Sequence, residues 1–312
     1  MPLVIPHWAP EAPLQALRLA WLERAGVEVA VLRLDQIDTL VSGNKWFKLI
    51  GHLQEAVARG AEGLISLGGA HSNHLHALAA AGRRFGFPTV GLLRGHARET
   101  PTVVELRTFG MQLHWLGYAG YRARHQVDFW TPWRERYPAL HPVPEGGGGL
   151  PGTRGCAALV AMVRAQLPRL GWRDYHAWWL AVGTGTTLAG LVLAEDADVP
   201  VHGALAVPAD HGAADQVRAL LAQAGNCEAG YRLIEASRGG FARVDAELLT
   251  FMQATEEESG VPLEPLYTAK ALLALRRAVE AGEIAAGSRL IFVHTGGLQG
   301  RAAAMAACRE SG

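Results

Sequence analysis

Lysine is almost missing from this chain: of 29 basic residues only Lys45, Lys48 and Lys270 are lysines, and the rest are arginines. Asparagine is as rare, at Asn44, Asn73 and Asn226, and cysteine occurs only at Cys156, Cys227 and Cys308. Three widely spaced cysteines make neither a disulfide framework nor a zinc site, and they point to a reducing cytoplasm. Neither sign of charge dominates, with 29 basic against 29 acidic residues, so the electrostatic case for a nucleic-acid or anionic-membrane partner falls away. No apolar run approaches the roughly 18 residues that span a bilayer. The opening stretch, MPLVIPHWAPEAPLQ, lacks a basic segment followed by an apolar one, so no signal peptide is expected. Repeats, low-complexity tracts and long linkers are absent too. The expectation is a soluble, cytoplasmic, globular protein.

What is present is apolar: 49% of 312 residues, enough for one large core or two modest ones. Helical periodicity runs from about Leu49 to Arg59, and Gly63 to Leu67 reads as a buried strand. A turn at Gly68 to His74 opens into an alanine-rich helix over 75–85, followed by a strand over 88–93, a helix over 101–109 and a strand over 112–116. The stretch Glu145-Gly-Gly-Gly-Gly149-Leu-Pro-Gly152 is expected to be a loop, because glycine and proline punctuate regular structure. Beyond it the pattern predicts helices over 155–166, 188–193 and 268–281, and strands over 177–182, 201–207, 231–235 and 289–294. This alternation predicts an α/β protein with two open twisted parallel sheets and a cleft between them.

A lysine kept against so strong an arginine bias is a candidate for chemistry, since only its amine can lose a proton and attack a carbonyl. Lys45 and Lys48 stand together in Ser42-Gly-Asn-Lys-Trp-Phe-Lys48; the alternative is chance survival on a helix surface. The strand-turn-helix through Gly183-Thr-Gly-Thr-Thr187 is the clearest anion site. Its glycines admit a ligand close to the backbone, its threonines add hydroxyls, and the next helix supplies N–H groups. It has neither the Gly-Lys-Ser/Thr of a P-loop nor the dinucleotide spacing, and a plain turn is the other reading. Ser72 and Asn73 fall at a helix start, where such residues commonly serve as caps. With His71 and His74 they also form a polar cluster at the carboxyl end of a strand, where open α/β sheets bind ligands. A serine triad is not indicated, because Gly-x-Ser-x-Gly is missing. His71 and His74 lack a third ligand nearby, and no metal is expected.

An amine, a phosphate cradle and a polar pocket are together what pyridoxal 5'-phosphate requires. Five motifs occur in order: Ser42-Gly-Asn-Lys-Trp-Phe-Lys-Leu49, Gly68-Gly-Ala-His-Ser-Asn-His74, Val182-Gly-Thr-Gly-Thr-Thr-Leu-Ala-Gly190, Glu264-Pro-Leu-Tyr-Thr-Ala-Lys270 and His294-Thr-Gly-Gly297. In these the chain, from about residue 30 to residue 300, resembles the 1-aminocyclopropane-1-carboxylate (ACC) deaminase and D-cysteine desulfhydrase family. That family belongs to the tryptophan-synthase-β-like, fold type II group of pyridoxal-phosphate enzymes. The resemblance implies that Lys45 is the Schiff-base lysine and that Lys48 helps to hold the phosphate. It implies that Ser72 contacts the substrate carboxylate or acts in catalysis, and that Asn73 bonds the cofactor's 3'-oxygen. Gly183, Thr184, Gly185, Thr186 and Thr187 match the phosphate loop. Tyr267 matches a catalytic tyrosine stacked on the ring, and Thr268 the residue facing the ring nitrogen. His71, His74 and Phe241 are expected around the substrate, and residues 145–149 resemble a glycine-rich segment lining the cleft.

The same resemblance implies a small domain over 49–155, a large one from 1–48 with 156–312, and a homodimer. Two positions bear on the substrate. ACC deaminases carry glutamate where this chain has Thr268, whereas D-cysteine desulfhydrases carry threonine; a neutral hydroxyl suffices for a good leaving group such as thiolate. Phe241 stands where the family has a tyrosine paired with the serine. The expected activity is α,β-elimination from a small amino acid, most like D-cysteine desulfhydrase. The alternatives are an ACC deaminase and a cofactor-binding protein with little or no turnover.

Overall fold

A computed structural model describes residues 2–196, 198–226, 230–240, 242–302 and 305. Phe241, Cys227 and Cys308 lie outside the described residues. The described strands are, in chain order, β1 (Leu14–Ala16), β2 (Glu28–Arg33), β3 (Gly63–Gly68), β4 (Thr89–Leu93), β5 (Gln112–Trp115), β6 (Leu140–Val143), β7 (Ala177–Val182), β8 (Val201–Leu205), β9 (Tyr231–Glu235) and β10 (Arg289–His294). No helix among the described residues is long and apolar enough to cross a membrane.

The first compact unit comprises Met1–Ala9 and Asp38–Gly155. Its four strands are all parallel, in the order β5-β4-β3-β6, with Leu64 opposite Thr89 and Gly63 opposite Leu140. Every residue of β3 is buried, which is why Gly63-Leu-Ile-Ser-Leu-Gly68 carries no alternation of apolar and polar side chains. From β3 the chain steps outward through β4 to β5 and then returns to the other side of β3 as β6. The order reverses there, and the crevice outside the carboxyl ends of such strands is where open α/β sheets bind ligands. Those ends lead into Gly69–Ser72 and Glu145–Gly149.

The second unit comprises Pro10–Ile37 and Cys156–Gly312. Its six-stranded sheet runs β1-β2-β10-β7-β8-β9, parallel except for β1, which pairs antiparallel with β2. An apolar core cluster of buried side chains includes Val29, Trp179, Leu272, Leu275 and Phe292. Strand order reverses between β7 and β10, whose carboxyl ends carry Gly183–Gly185 and Thr295–Gly297.

Two expectations change. The glycine-rich stretch is not a loop throughout: after a short 3-10 turn at Glu145–Gly147, Gly149–Gly155 is helical. The reason is packing against the helix Lys45–Ala58. A Cβ on Gly51 would stand 2.0 Å from the Pro151 carbonyl oxygen, and one on Gly155 would stand 1.9 Å from that of Phe47. Glycine here allows two helix backbones to touch, a use that its rank as a helix breaker conceals. The expected helix over 155–166 correspondingly shortens to Ala158–Arg164. The boundary drawn at residue 48 also falls inside the helix Lys45–Ala58, and residues 38–48 pack with the first unit.

Candidate active site

In the first unit Lys45 is the first residue of the helix Lys45–Ala58. A cation at that end opposes the helix dipole. Asn44, the residue before it, makes no side-chain cap to the helix; its Oδ1 instead accepts from Lys45 Nζ at 2.7 Å. The scarce asparagine therefore holds the scarce lysine. Lys48, one turn on, is buried, and its Nζ donates to the Gly146 carbonyl at 3.3 Å.

The turn after β3 delivers the second group. Ser72 caps the helix Asn73–Phe85, its Oγ accepting from Leu75 N at 3.2 Å. A Cβ on Gly68 would meet that Oγ at 2.5 Å, so glycine ends β3 to leave the serine room. Asn73 is the first helical residue and, like Ser72, is half-buried, while His71 is exposed on the turn. His74 is buried. Ser66 Oγ lies 2.8 Å from His74 Nε2 and donates its own proton to the Val143 carbonyl at 2.8 Å. Nε2 must then donate to Ser66, which leaves Nδ1 as a lone pair without a hydrogen-bond partner. Burial, then the charges of Lys45 and Lys48, hold this imidazole well below its usual pKa, so it is neutral. Glu145 anchors the glycine segment by accepting from Tyr121 Oη and Arg124 Nε. Gly147, with φ at +71°, lies so close that a Cβ would be 3.0 Å from Lys48 Cβ and 3.3 Å from the His74 ring.

In the second unit the turn Gly183-Thr184-Gly185 leads from β7 into the helix Thr186–Glu195. Gly185 has φ at +73°, and a Cβ there would stand 2.3 Å from Val217 Cγ2. Thr184 and Thr186 hydroxyls lie 3.1 Å apart, and Thr186 and Thr187 are buried. The first N–H groups of any helix lack an intrahelical acceptor and favour an anion. Tyr267 stands against this turn: a Cβ on Gly183 would be 3.2 Å from Tyr267 Cε1.

Glu264 organises the segment behind that tyrosine. Its buried carboxylate accepts from the N–H groups of Leu266, Tyr267 and Thr268 at 2.9, 2.7 and 2.7 Å. Burial raises its pKa, against those hydrogen bonds. Thr268 is fully buried, its Oγ1 accepts from Glu264 N at 2.9 Å, and it donates to the Glu264 carbonyl at 3.2 Å, so the hydroxyl closes a turn. Sequence reading passed over Thr295, which is half-buried and follows β10 beside the end of β7. Its place in His294-Thr-Gly-Gly297 was visible, but the pairing of β10 with β7 is known only from the strand order. Lys270, also buried, donates to the carbonyls of Ser237 and Gly240 at 2.9 Å each, and burial lowers its pKa to about 8.

Comparison with known proteins gives the family. The sequence profile of a family described as pyridoxal-phosphate dependent enzyme matches residues 11–296. A Pyrococcus abyssi protein, provisionally named a 1-aminocyclopropane-1-carboxylate deaminase, is 28% identical over 306 residues, covering 93% of this chain and 90% of its own. An Arabidopsis thaliana mitochondrial protein, named a bifunctional D-cysteine desulfhydrase/1-aminocyclopropane-1-carboxylate deaminase, is 28% identical over 294 residues, covering 88% of this chain and 73% of its own. Among solved structures, one described as an ACC deaminase homologue has a TM-score of 0.80 at 24% identity, over 96% of this chain and 92% of that one.

Proposed function

Because this chain belongs to the pyridoxal-phosphate dependent enzyme family, we propose that it is a lyase that eliminates a β-substituent from a small amino acid, with D-cysteine as the substrate its residues suit best. The residues fit the cofactor: Gly185, with φ at +73° and no room for a Cβ beside Val217, shapes the turn after β7 as only glycine can, and the His74 imidazole offers a buried, unpartnered acceptor in the unit that holds Lys45. When bound, pyridoxal phosphate supplies an aldehyde for an amine and an electron-withdrawing ring. Lys45 provides that amine, with its Nζ oriented by Asn44. The loop from Gly183 to Thr187 would bind a phosphate through backbone N–H groups and hydroxyls, and Lys48 would supply a cation in the first unit. Tyr267 offers its ring face, Asn73 an amide to the cofactor's 3'-oxygen, and Ser72 a hydroxyl proton to the substrate carboxylate. The Lys45 amine would then serve as the base that takes the proton from the substrate α-carbon. The sulfur leaves as thiolate with the bonding pair, and water completes the balance: D-cysteine and water give pyruvate, sulfide and ammonia.

The choice of D-cysteine over ACC is carried by the segment Glu264–Thr268. The Glu264 carboxylate is spent on three backbone N–H groups, and position 268 holds a neutral hydroxyl tied to Glu264. This segment therefore offers no acid to a ring nitrogen, and a ring that is not protonated draws charge less strongly. Thiolate can still leave; an unactivated cyclopropane cannot readily open. ACC deamination is the second reading, favoured by the names of the Pyrococcus abyssi and Arabidopsis thaliana relatives. Keto-acid release from D-cysteine, L-cysteine, D-serine and ACC separates the two: D-cysteine should be turned over and ACC should not. Faster release from ACC than from D-cysteine overturns this reading in favour of the second.

A further inference from the structure

Three side chains of the first unit remain outside this chemistry. His52 and Glu55 lie one turn apart on the helix Lys45–Ala58, and His141 lies on β6, which pairs with β3. One ligand atom from each falls within 4.8 Å of the other two, the one such group of three among the described residues. We propose that His52, Glu55 and His141 form a binding site for a divalent transition metal, zinc by the chemistry of its donors, that ties the helix Lys45–Ala58 to β6.

The state of His52 is the strongest argument. Its Nε2 lies 2.9 Å from the Gly148 carbonyl oxygen, which can only accept, so Nε2 carries the proton. Nδ1 is therefore a bare lone pair, and it is buried without any hydrogen-bond partner on a side chain only 2% exposed. A buried acceptor left unsatisfied is costly, and each such atom in a native protein calls for a reason. Metal-ligating imidazoles commonly donate their other N–H to a backbone carbonyl, which fixes tautomer and ring direction; His52 and Gly148 have that arrangement. His141 is also buried, so two imidazoles stand inside the protein at this point.

Glu55 completes the donor set. Its Oε2 is 3.8 Å from His141 Nε2, while its other oxygen pairs with the exposed Arg59. In a tetrahedral zinc site with bonds of about 2.0–2.2 Å, ligand atoms stand about 3.4 Å apart. The set must close by about an ångström, which rotation of a partly exposed glutamate supplies, since its surface ion pair with Arg59 holds it weakly. Two imidazoles and one carboxylate suit zinc, and three protein ligands leave the fourth position to water. The sequence concealed this group because His141 is remote in the chain from His52-Leu-Gln-Glu55.

The test uses holoenzyme stripped of metal by a chelator and dialysed, then titrated with Zn²⁺ against a chromogenic competitor. Co²⁺ is used in parallel, read as a difference spectrum. One equivalent of Zn²⁺ per chain and a tetrahedral Co²⁺ spectrum are expected, with affinity reduced about tenfold or more in Glu55→Gln and in His141→Gln. Zn²⁺ should raise the melting temperature of the wild type and leave both variants where they were. Both variants should keep the wild-type circular dichroism; if one does not fold, the other carries the measurement. Absence of a saturable equivalent overturns the proposal. So does wild-type affinity in the variants, or binding that disappears with the cofactor and not with these side chains.

Discussion

Gly155→Ala should destabilise the protein although alanine is the better helix former. Replacing glycine inside a helix gains about 0.5–1 kcal/mol through backbone entropy and propensity. The added Cβ, however, would lie 1.9 Å from the Phe47 carbonyl oxygen and 3.1 Å from its carbon. An ordinary contact is about 3.5 Å, so the two backbones must part by more than about 1 Å. The obstacle is main chain, which cannot rotate aside as a side chain can. Overpacking costs about 1–3 kcal/mol, and a backbone obstacle belongs at the upper end, leaving a net loss of about 1–2 kcal/mol. Urea unfolding followed by circular dichroism measures it, with Gly69→Ala as the control. Nothing lies within 4 Å of a Cβ at Gly69, and its φ is not positive, so that change should stay within about 0.5 kcal/mol. The displaced helix is the one that begins at Lys45, so Gly155→Ala should also retain its cofactor less well on dialysis. A Gly155→Ala protein as stable as the wild type refutes the close-packing argument.

Lys45→Ala should lose the cofactor's visible absorption and all turnover, while Lys270→Ala should keep that absorption; a coloured, active Lys45→Ala protein is inconsistent with the proposed chemistry. Gly185→Val should weaken cofactor retention, because φ is +73° there and the new side chain meets Val217; unchanged retention on dialysis places the phosphate elsewhere. Acid should destabilise the protein in a window set by His52. Its folded pKa is about 4 against 6.5 unfolded, so between those values the unfolded chain binds more protons and stability falls as pH falls. The full loss is about 3 kcal/mol at 1.36 kcal/mol per pKa unit, complete near pH 4 and absent above pH 6.5. His74 acts in the same direction. Measured in the presence of chelator, His52→Gln should flatten the wild-type slope of urea midpoint against pH from 7 to 5, and equal slopes count against the assignment.

Residues whose partners are near in sequence were the legible ones. β3, β7, β9 and β10 and the helices that follow β3 and β7 announce themselves, because apolar runs ending in Gly-Gly or Gly-Thr-Gly punctuate them. Lys45 was legible through its rarity. What stayed hidden depends on distant contacts. The helix Gly149–Gly155 exists because glycine backbones touch another helix, and composition alone argues for a loop. Ser66 and the β6 carbonyl of Val143 claim the Nε2 side of His74. The Thr268 hydroxyl is satisfied by the backbone four residues earlier. β2 carries as strong an apolar pattern as any strand, yet nothing local tells that its neighbour is the last strand of the chain.

That pairing orders the birth of the protein. Ala30 of β2 faces Ile291 of β10, so β2, made well before β10, waits through β3 to β9 before that partner emerges. The four-stranded sheet of the first unit needs nothing beyond residue 143 and can assemble on the nascent chain. The six-stranded sheet cannot close until β10 is released, and so large a sequence separation makes its closure slow. Meanwhile Val29-Ala-Val-Leu32 is a bare, apolar edge, the kind of segment that recruits other chains. Two features guard it. β1 can fold back on one side as a local antiparallel partner, and Glu28 and Arg33 place a charge at each end. A chain stalled before β10 would therefore carry the four-stranded sheet, the β1–β2 pair and the β7-β8-β9 ladder, with β2 and β7 both awaiting the strand that joins them.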